Sequence, residues 1–277
     1  MSRAVASRYP RWPLYRQVLS LELRKTFSYR FDFWFRFLGV LMANVVIAYY
    51  LWSAIFAQTG AAQIGGYTFQ GMILYYLMVP LIENVSRGQE SGLAQEIYGG
   101  TLTRYLVYPV PFFPFRYVGS LAGTVVALLQ LVVVLGGYLA LAGRPSDLPL
   151  TAGTVAMGLV AAVAAGLLNF LMVAALEMVA FWADQIWSLN VMLMFCVRLL
   201  GGSLLPLSLF PDWSRAALAW TPFPYLVSFP IRTLTGQVAL VEWGQGLLII
   251  ALWSLGFALL DRWIWRRGNL RYTGVGQ

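Results

Sequence analysis

Long apolar segments constrain this chain more than any other feature of its sequence. Six stretches hold about twenty or more mainly apolar residues, the length that a helix needs to cross a hydrocarbon core about 30 Å thick. We expect spans at residues 33–57, 67–86, 115–142, 151–181, 185–205 and 238–265. In a bilayer only structures that satisfy their own backbone hydrogen bonds persist, and helices do so. The sequence therefore predicts an all-α polytopic membrane protein with six transmembrane helices.

Composition supports this class and removes several kinds of chemistry. Of 277 residues, 60% are hydrophobic and 11% are charged, against about 25% charged in an average soluble domain. The single cysteine, Cys196, excludes a disulfide framework within the chain. The absence of histidine excludes histidine bases, histidine metal ligands and Ser-His-Asp triads. We predict no metal site and no catalytic residue.

Basic residues indicate the orientation of the spans. If both termini face the cytoplasm, the inner segments carry fifteen Lys and Arg residues and the outer segments carry three, Arg144, Arg215 and Arg232. Such an excess is the positive-inside pattern of membrane proteins. A net charge of +8 could also suggest nucleic acid, but no soluble domain remains to present a basic face, and we expect no nucleic-acid partner.

The predicted organisation has three parts. Residues 1–32 form a cytoplasmic N-terminal segment, residues 33–265 the transmembrane domain, and residues 266–277 a cytoplasmic tail. Leu14, Val18, Leu21 and Phe27 recur near helical spacing between basic residues. This pattern favours an amphipathic helix lying in the inner interface, with its arginines on lipid phosphates. A simple anchor for the first span is the alternative.

Residues 87–114 are longer and more ordered than a linker requires. The stretch around Leu93–Tyr98 predicts a short helix that Gly99 and Gly100 end. Residues 101–108 predict another turn or two before three prolines stop it. We interpret this stretch as a polar element on the cytoplasmic side.

Residues 203–236 are apolar but contain five prolines, which forbid one continuous helix. Broken backbone at membrane depth occurs only where protein or a water-filled cavity surrounds it. The aromatic residues of this stretch favour a re-entrant helical pair in the outer leaflet, between spans five and six. An irregular surface loop is the alternative.

Two motifs within these segments resemble those of a known family. The pattern E-I-x-x-G-T-L-x-x-x-L-x-x-P comprises Glu96, Ile97, Gly100, Thr101, Leu102, Leu106 and Pro109. The later pattern comprises Gly201, Gly202, Pro206, Phe210, Pro211, Pro222, Phe223 and Gly236. Their order and spacing over nearly the whole chain are similar to the membrane subunits of type-2 ABC exporters. Tyr108 departs from the basic residue often found before the first motif's proline.

The resemblance implies a permease subunit of the prokaryotic inner membrane that binds no cofactor itself. A second permease subunit, identical or homologous, would complete the substrate path, and two copies of an ABC ATPase would bind ATP and Mg. It also implies contact with the ATPase through the N-terminal helix and the segment between spans two and three. Carried over to this sequence, the ATPase-coupling residues are Leu93, Gln95, Glu96, Ile97, Gly100, Thr101, Leu102 and Arg104.

The chain itself has no phosphate-binding loop. Such a loop needs a glycine-rich turn followed by lysine, and the only lysine, Lys25, follows no such turn. We therefore expect that this chain is not by itself an enzyme and that a partner supplies the energy.

Charged residues within spans are the candidates for the substrate path, because a charge at mid-helix costs about 2.5–3.5 kcal/mol on insertion scales. Arg198 lies near the middle of span five and Glu177 in span four. We predict a path or gate role for Arg198, Glu177, Pro206, Phe210 and Pro211. The alternatives are a purely structural pair between Arg198 and Glu177 and an Arg198 that a broken helix displaces outward. Glu83, near the inner end of span two, could simply reach the headgroups.

Other functions remain open at the level of sequence. A secondary transporter usually shows inverted repeats with two broken helices, whereas one broken region occurs here. An intramembrane enzyme would need an aspartyl pair, and Asp184 and Asp261 both lie at inner span ends. A membrane scaffold or assembly subunit is the third possibility.

Overall fold

The computed structural model describes residues 12–28, 30–87, 92–107, 111–145 and 148–272. The predicted terminal segments lie partly outside these ranges, as do Tyr108 and Pro109 of the first motif. The described residues form twelve α-helices and no extended sheet. The helices are α1 Trp12–Ser28, α2 Arg30–Thr59, α3 Phe69–Arg87, α4 Leu93–Tyr98, α5 Leu102–Val107, α6 Phe112–Ala142, α7 Ala152–Glu177, α8 Trp187–Leu200, α9 Asp212–Leu218, α10 Phe223–Leu226, α11 Ser228–Leu234 and α12 Leu240–Gly268. One-turn 3-10 helices occur at Met178–Phe181 and Leu207–Leu209.

Four described helices are long and apolar enough to cross a bilayer. They span Phe37–Thr59, Phe112–Ala142, Ala152–Phe181 and Leu240–Gly268, where the third includes the 3-10 turn after α7. The predicted spans two and five differ from these. Helix α3 has 19 residues and is interrupted by Pro80. Helix α8 has 14 residues, about 21 Å at 1.5 Å per residue, which is shorter than the hydrocarbon core.

Helix α7 lies at the centre of the bundle. Its sequence is rich in alanine and glycine, which allows neighbouring helices to approach closely. A Cβ atom on Gly158 would lie 2.3 Å from the Leu234 side chain of α11, so only glycine fits there. The indole of Trp243 at the start of α12 donates a hydrogen bond to the Met157 carbonyl (3.1 Å). Helices α3, α11 and α12 all pack on α7.

Helices α7 and α12 run in the same direction, which fixes the two ends of the bundle. Trp243 contacts Met157 near the start of both helices. At the other end, the ring of Phe181 fills the space beside Gly268. The end with Phe181 and Gly268 is called the α4 end below, because α4 packs on the 3-10 turn there.

Helix α3 forms much of the core although it contains a proline, Pro80, in its interior. Met72, Leu74, Tyr75, Met78 and other α3 residues are fully buried, and α3 packs on α2, α6 and α7. Its interior position explains why polar Glu83 and Asn84 are tolerated. Helix α1 packs along α6. Its bounds, Trp12–Ser28, include the apolar residues on which the predicted amphipathic helix was based.

The chain after α8 turns sharply at Gly201 and Gly202, and Gly202 has a φ of +95° that favours glycine. Two tyrosines of α3 donate hydrogen bonds to carbonyl groups of the irregular backbone that follows. The Tyr75 hydroxyl donates to the Gly202 carbonyl and the Tyr76 hydroxyl to the Leu204 carbonyl, both at 2.9 Å. A buried carbonyl without a partner would be costly, so these bonds stabilise the break.

Residues 203–236 contain three short α-helices, α9, α10 and α11, and the Leu207–Leu209 turn. The sequence predicted a pair of helices here, so the number was wrong. Proline explains the difference, since each of these helices has one just before it or in its first turn: Pro211 precedes α9, Pro222 precedes α10 and Pro230 lies in the first turn of α11.

Candidate functional site

Helices α4 and α5 form a compact element on the α4 end of the bundle. Leu93, Ile97 and Leu102 are buried against the Met178–Phe181 turn and the start of α6. Trp265 of α12 stacks on Phe112 of α6 in the same cluster, with ring centroids 5.3 Å apart. The element is thus attached to the ends of α6, α7 and α12, and movement of α4 must involve these helices.

Glu96 is the centre of the element. Arg104 donates hydrogen bonds to both of its carboxylate oxygens at 3.0 Å, and the Arg116 guanidinium lies 3.6 Å from Oε1. The Thr101 hydroxyl also donates to Glu96 Oε2. Glu96 is only 9% exposed. We call Glu96, Thr101, Arg104 and Arg116 the Glu96 cluster.

The electrostatics of the Glu96 cluster favour the ionised carboxylate. Burial alone would raise the pKa of Glu96. The hydrogen bonds from Thr101 and Arg104, with the charges of Arg104 and Arg116, outweigh burial and lower its pKa below the usual value. The hydrogen bond to Glu96 in turn raises the pKa of Arg104. The cluster therefore stays ionised at physiological pH.

The eight predicted coupling residues divide into two groups. Leu93, Glu96, Ile97 and Leu102 face the chain's own interior. Gln95, Thr101 and Arg104 are exposed and Gly100 is half-buried, with a φ of +67° at the turn between the helices. The predicted polar contact by Glu96 does not fit its burial in this chain, because its oxygens are directed to Thr101, Arg104 and Arg116.

Glu177 joins this element to the membrane helices. It is the last residue of α7 and is 7% exposed. Its Oε2 accepts a hydrogen bond from the Leu93 backbone N–H (2.8 Å), the first residue of α4. A carboxylate at a helix N-terminus satisfies an otherwise unpaired donor and complements the helix dipole. Glu177 therefore fixes the start of α4 to the end of α7.

A cavity of about 410 Å³ lies directly beside this junction. Helices α3, α4, α7, α8 and α10 contribute to its walls. Its polar lining consists of Glu83, Gln95, Asn169, Glu177, Asn190 and Arg198, and its apolar lining includes Trp187, Met194 and Leu226. The same cavity thus touches Arg198 and Glu177, two of the predicted path residues, and the coupling residue Gln95.

Arg198 has a different partner from the one considered in the sequence. Its Nε lies 3.6 Å from Glu83 Oε1, whereas Glu177 holds the Leu93 N–H. The alternative of an Arg198–Glu177 pair is therefore wrong as the structure places them. Arg198 lies in the last turn of α8, where the helix dipole favours a cation.

The pair of Arg198 and Glu83 also lines a second cavity, of about 330 Å³, between α2, α3 and the end of α8. Ser203, Asn44 and Asn84 are among its other polar residues. Neither of the two cavities includes Pro206, Phe210 or Pro211 in its lining. The lining of these two cavities therefore does not connect those three residues with Arg198.

Sequence reasoning missed two residues of this site. Glu83 was interpreted as reaching the headgroups, although it forms the ion pair with Arg198. Arg116 follows a proline-rich stretch at the start of α6, and no local pattern links it to Glu96. The sequence feature that comes closest to indicating this contact is Gly92, because a Cβ atom there would lie 2.6 Å from the Arg116 guanidinium.

Comparison with known proteins identifies the family. No curated protein and no solved structure matches the chain. A family model described as ABC-2 family transporter protein matches residues 42–276, which is most of the chain and includes α4, α5 and the whole lining of the 410 Å³ cavity. The chain therefore belongs to the ABC-2 transporter family and is a membrane permease subunit of ABC-type transport.

Proposed function

We propose that this chain is the membrane subunit of an ATP-driven exporter in a prokaryotic inner membrane. It pairs with a second permease subunit, identical or homologous, and with two copies of a separate ABC ATPase that bind ATP and Mg. The observation that carries the proposal is the α4–α5 element. It presents Gln95, Thr101 and Arg104 outward while its other face is fixed to three membrane helices.

The proposed route of coupling passes through Glu177. A displacement of α4 by the ATPase would act on the Leu93 N–H, hence on Glu177 and the end of α7. Because Glu177 also lines the 410 Å³ cavity, the same displacement changes the shape of that cavity. We propose that substrate passes beside Arg198 and Glu83, which both cavities share.

The proposed topology has six spans, with α3 and α8 as spans two and five. Helix α8 is too short to cross alone, and α9–α11 re-enter the outer leaflet beside it. Trp220 supports re-entry, since its carbonyl accepts a hydrogen bond from the Trp253 indole (3.2 Å). Trp253 lies thirteen residues into α12, which is about 20 Å along its axis. Residues 218–221 therefore lie about 20 Å from the start of α12 along its axis, in the direction of the α4 end.

The topology predicts that both termini face the cytoplasm, as the basic residues indicate. On a Cys196→Ser background, a cysteine at Gln277 should react with an impermeant maleimide only after the cells are permeabilised. A cysteine at Arg144, exposed on the α6–α7 connection, should react in intact cells. Labelling of position 277 in intact cells would contradict the six-span topology.

Docking of the ATPase is tested on the exposed face of α4. Affinity purification of this chain from its native membrane should bring down an ABC ATPase. We expect Gln95→Arg to reduce the ATPase recovered at least tenfold, or about 1.4 kcal/mol of affinity, because a bulky cation replaces an exposed amide at the proposed contact.

The matched control is Gln63→Arg, which makes the same change at an exposed position on the α2–α3 connection. It should leave recovery of the ATPase unchanged. Equal recovery with both variants would show that α4 is not the docking surface.

A further inference from the structure

A third cavity, of about 550 Å³, lies at the opposite end of the bundle from α4. The α2–α3 connection, α9, α10, α11 and the first turns of α12 form its walls. Helix α12 has 29 residues, so its start lies about 43 Å from the α4 end. The cavity is thus separate from the two that Arg198 lines.

Its polar residues include two cations, each with a carboxylate partner. Arg232 donates a hydrogen bond to Glu242 Oε1 (3.1 Å), and Arg215 pairs with Asp212. The Arg232 and Glu242 side chains are 40% and 48% exposed, and such exposed pairs contribute only about 0–1 kcal/mol. A ligand can therefore separate them at little cost. A guanidinium also has five N–H donors, and the bond to Glu242 uses one.

The rest of the lining is apolar. Leu218, Ala219 and Ile249 belong to it, together with the ring of Phe229. Gly246 makes room for that ring, since a Cβ there would lie 2.3 Å from it. The cavity is therefore amphipathic, with charged pairs and an apolar wall in one space.

Trp213 places one edge of the cavity at an interface. It lies in the first turn of α9, two residues before Arg215 of the cavity lining, and its side chain is 77% exposed. Exposed tryptophan is enriched where a bilayer meets water. A ligand that reaches this cavity from the bilayer would bring its headgroup to the charged pairs.

We propose that this cavity binds one zwitterionic phospholipid, of the phosphatidylethanolamine class, from the non-cytoplasmic leaflet. The assignment to that leaflet rests on the topology in the proposed function. The phosphate accepts hydrogen bonds from Arg232 and Arg215, a geometry that guanidinium groups suit. The ammonium group lies on Glu242, and the upper acyl chain lies along Leu218 and Ile249.

Charge balance selects the zwitterion. The two arginines, Glu242 and the neighbouring Asp212 sum to no net charge. A purely anionic headgroup would occupy the two arginines with its phosphate. It would leave the carboxylates of Glu242 and Asp212 with no cation opposite them. An ammonium group next to the phosphate satisfies both signs at once.

The test is native mass spectrometry of the purified, delipidated full-length chain. The probes are palmitoyl-oleoyl phosphatidylethanolamine, the corresponding phosphatidylglycerol, and free phosphoethanolamine. We expect one phosphatidylethanolamine per permease chain, bound about tenfold more tightly than phosphatidylglycerol. Free phosphoethanolamine should bind much more weakly, because it lacks the chains that the apolar wall contacts.

Variants separate lipid binding from folding. Arg232→Gln with Glu242→Gln should lower retention of phosphatidylethanolamine about tenfold. The reversed pair, Arg232→Glu with Glu242→Arg, keeps an ion pair and should melt as the parent protein does, but it should lose the preference for phosphatidylethanolamine. Arg144→Gln removes an exposed arginine at the same end of the bundle and should change nothing.

Equal binding of both phospholipids, or full retention by the Gln variants, would overturn the proposal. Strong binding of phosphoethanolamine alone would assign the site to a soluble phosphate ester instead. These results are independent of ATPase docking at α4, so failure of the lipid site and failure of the proposed function are distinguishable.

Discussion

Glu96→Arg is expected to abolish coupling while leaving insertion into the membrane intact. The change places a third guanidinium beside Arg104 and Arg116, where the structure has one carboxylate accepting from Thr101 and Arg104. Removing the carboxylate takes away the acceptor that Thr101 and Arg104 share and brings like charges together. We therefore expect the α4–α5 turn to lose its geometry.

The measurement is recovery of the ATPase with this chain, together with the ATP hydrolysis rate of the complex. Both should fall to background, whereas the amount of chain in the membrane should stay near normal, because the apolar helices that insert are unchanged. Normal ATPase recovery and normal hydrolysis in Glu96→Arg would refute a role for the Glu96 cluster in coupling.

Glu96→Gln separates charge from shape. Glutamine keeps nearly the same volume and one carbonyl acceptor but removes the negative charge between two arginines. We expect partial loss of coupling, since hydrogen bonds to charged groups contribute about 1.5–3 kcal/mol.

The effect of Glu96→Gln should depend on pH in one direction. Folding lowers the pKa of Glu96, so the unfolded chain binds the proton more tightly than the folded chain does. The stabilisation is therefore complete above the unfolded pKa of about 4.3 and is lost as the pH falls through the lower, folded value. The parent and the Gln variant should differ in thermal stability at pH 7, and the difference should shrink as the pH falls below the unfolded pKa of about 4.3.

The coupling helices were predictable because local signals define them. Gly99 and Gly100 separate two short runs, and the observed helices, Leu93–Tyr98 and Leu102–Val107, lie on either side of that pair. Glycine can adopt the positive φ of Gly100 without strain. The long helices α2, α6, α7 and α12 were predictable for a similar reason, since apolar length needs no knowledge of neighbours.

The direction in which Glu96 points was not predictable. A charged residue on a short polar helix is usually solvated, and sequence alone offered it as a contact for a partner. Its burial depends on Arg116, twenty residues later and on another helix. Such a contact is a property of the tertiary arrangement, which no local pattern contains.

The partner of Arg198 escaped prediction for the same physical reason. Glu177 and Glu83 are both acidic residues near the inner ends of spans, so helical spacing cannot choose between them. The choice follows from Glu177 being needed at the start of α4, where it accepts from Leu93. Glu83 of α3 is then the acidic residue that faces α8.

Arg198→Met is expected to reduce the yield of folded chain several-fold. The substitution leaves Glu83 in a largely buried wall, with 14% of its side chain exposed, after removing the cation 3.6 Å away. Removing one partner of a buried ion pair is strongly destabilising, because the remaining carboxylate loses the attraction of the cation. Size-exclusion chromatography of fluorescently tagged chain measures the yield, and ATP hydrolysis by the purified complex measures coupling.

Two double variants identify the partner and the role of Arg198 together. Arg198→Met with Glu83→Gln removes both charges of the observed pair and should restore the yield. Arg198→Met with Glu177→Gln should not, because it keeps the Glu83 carboxylate without the guanidinium of Arg198 and also weakens the acceptor for Leu93 at the start of α4. Restoration by the Glu177 variant instead would show that the pairing in the structure is not the one that stabilises the protein.

The variant with Arg198→Met and Glu83→Gln then tests whether Arg198 lines the substrate path. We expect it to fold normally and to carry no charge at the boundary shared by the two cavities. If Arg198 lines the substrate path, a cysteine at position 198, combined with Glu83→Gln and Cys196→Ser, should react with a water-soluble thiosulfonate. The rate of that reaction should change when the ATPase is trapped with vanadate. A structural role alone predicts one rate in both states, because a fixed wall residue keeps the same access to water throughout the cycle. Coupled ATP hydrolysis at the parent rate in the double variant, with no change of labelling, would remove Arg198 from the transport mechanism and leave it as part of the packing between α3 and α8.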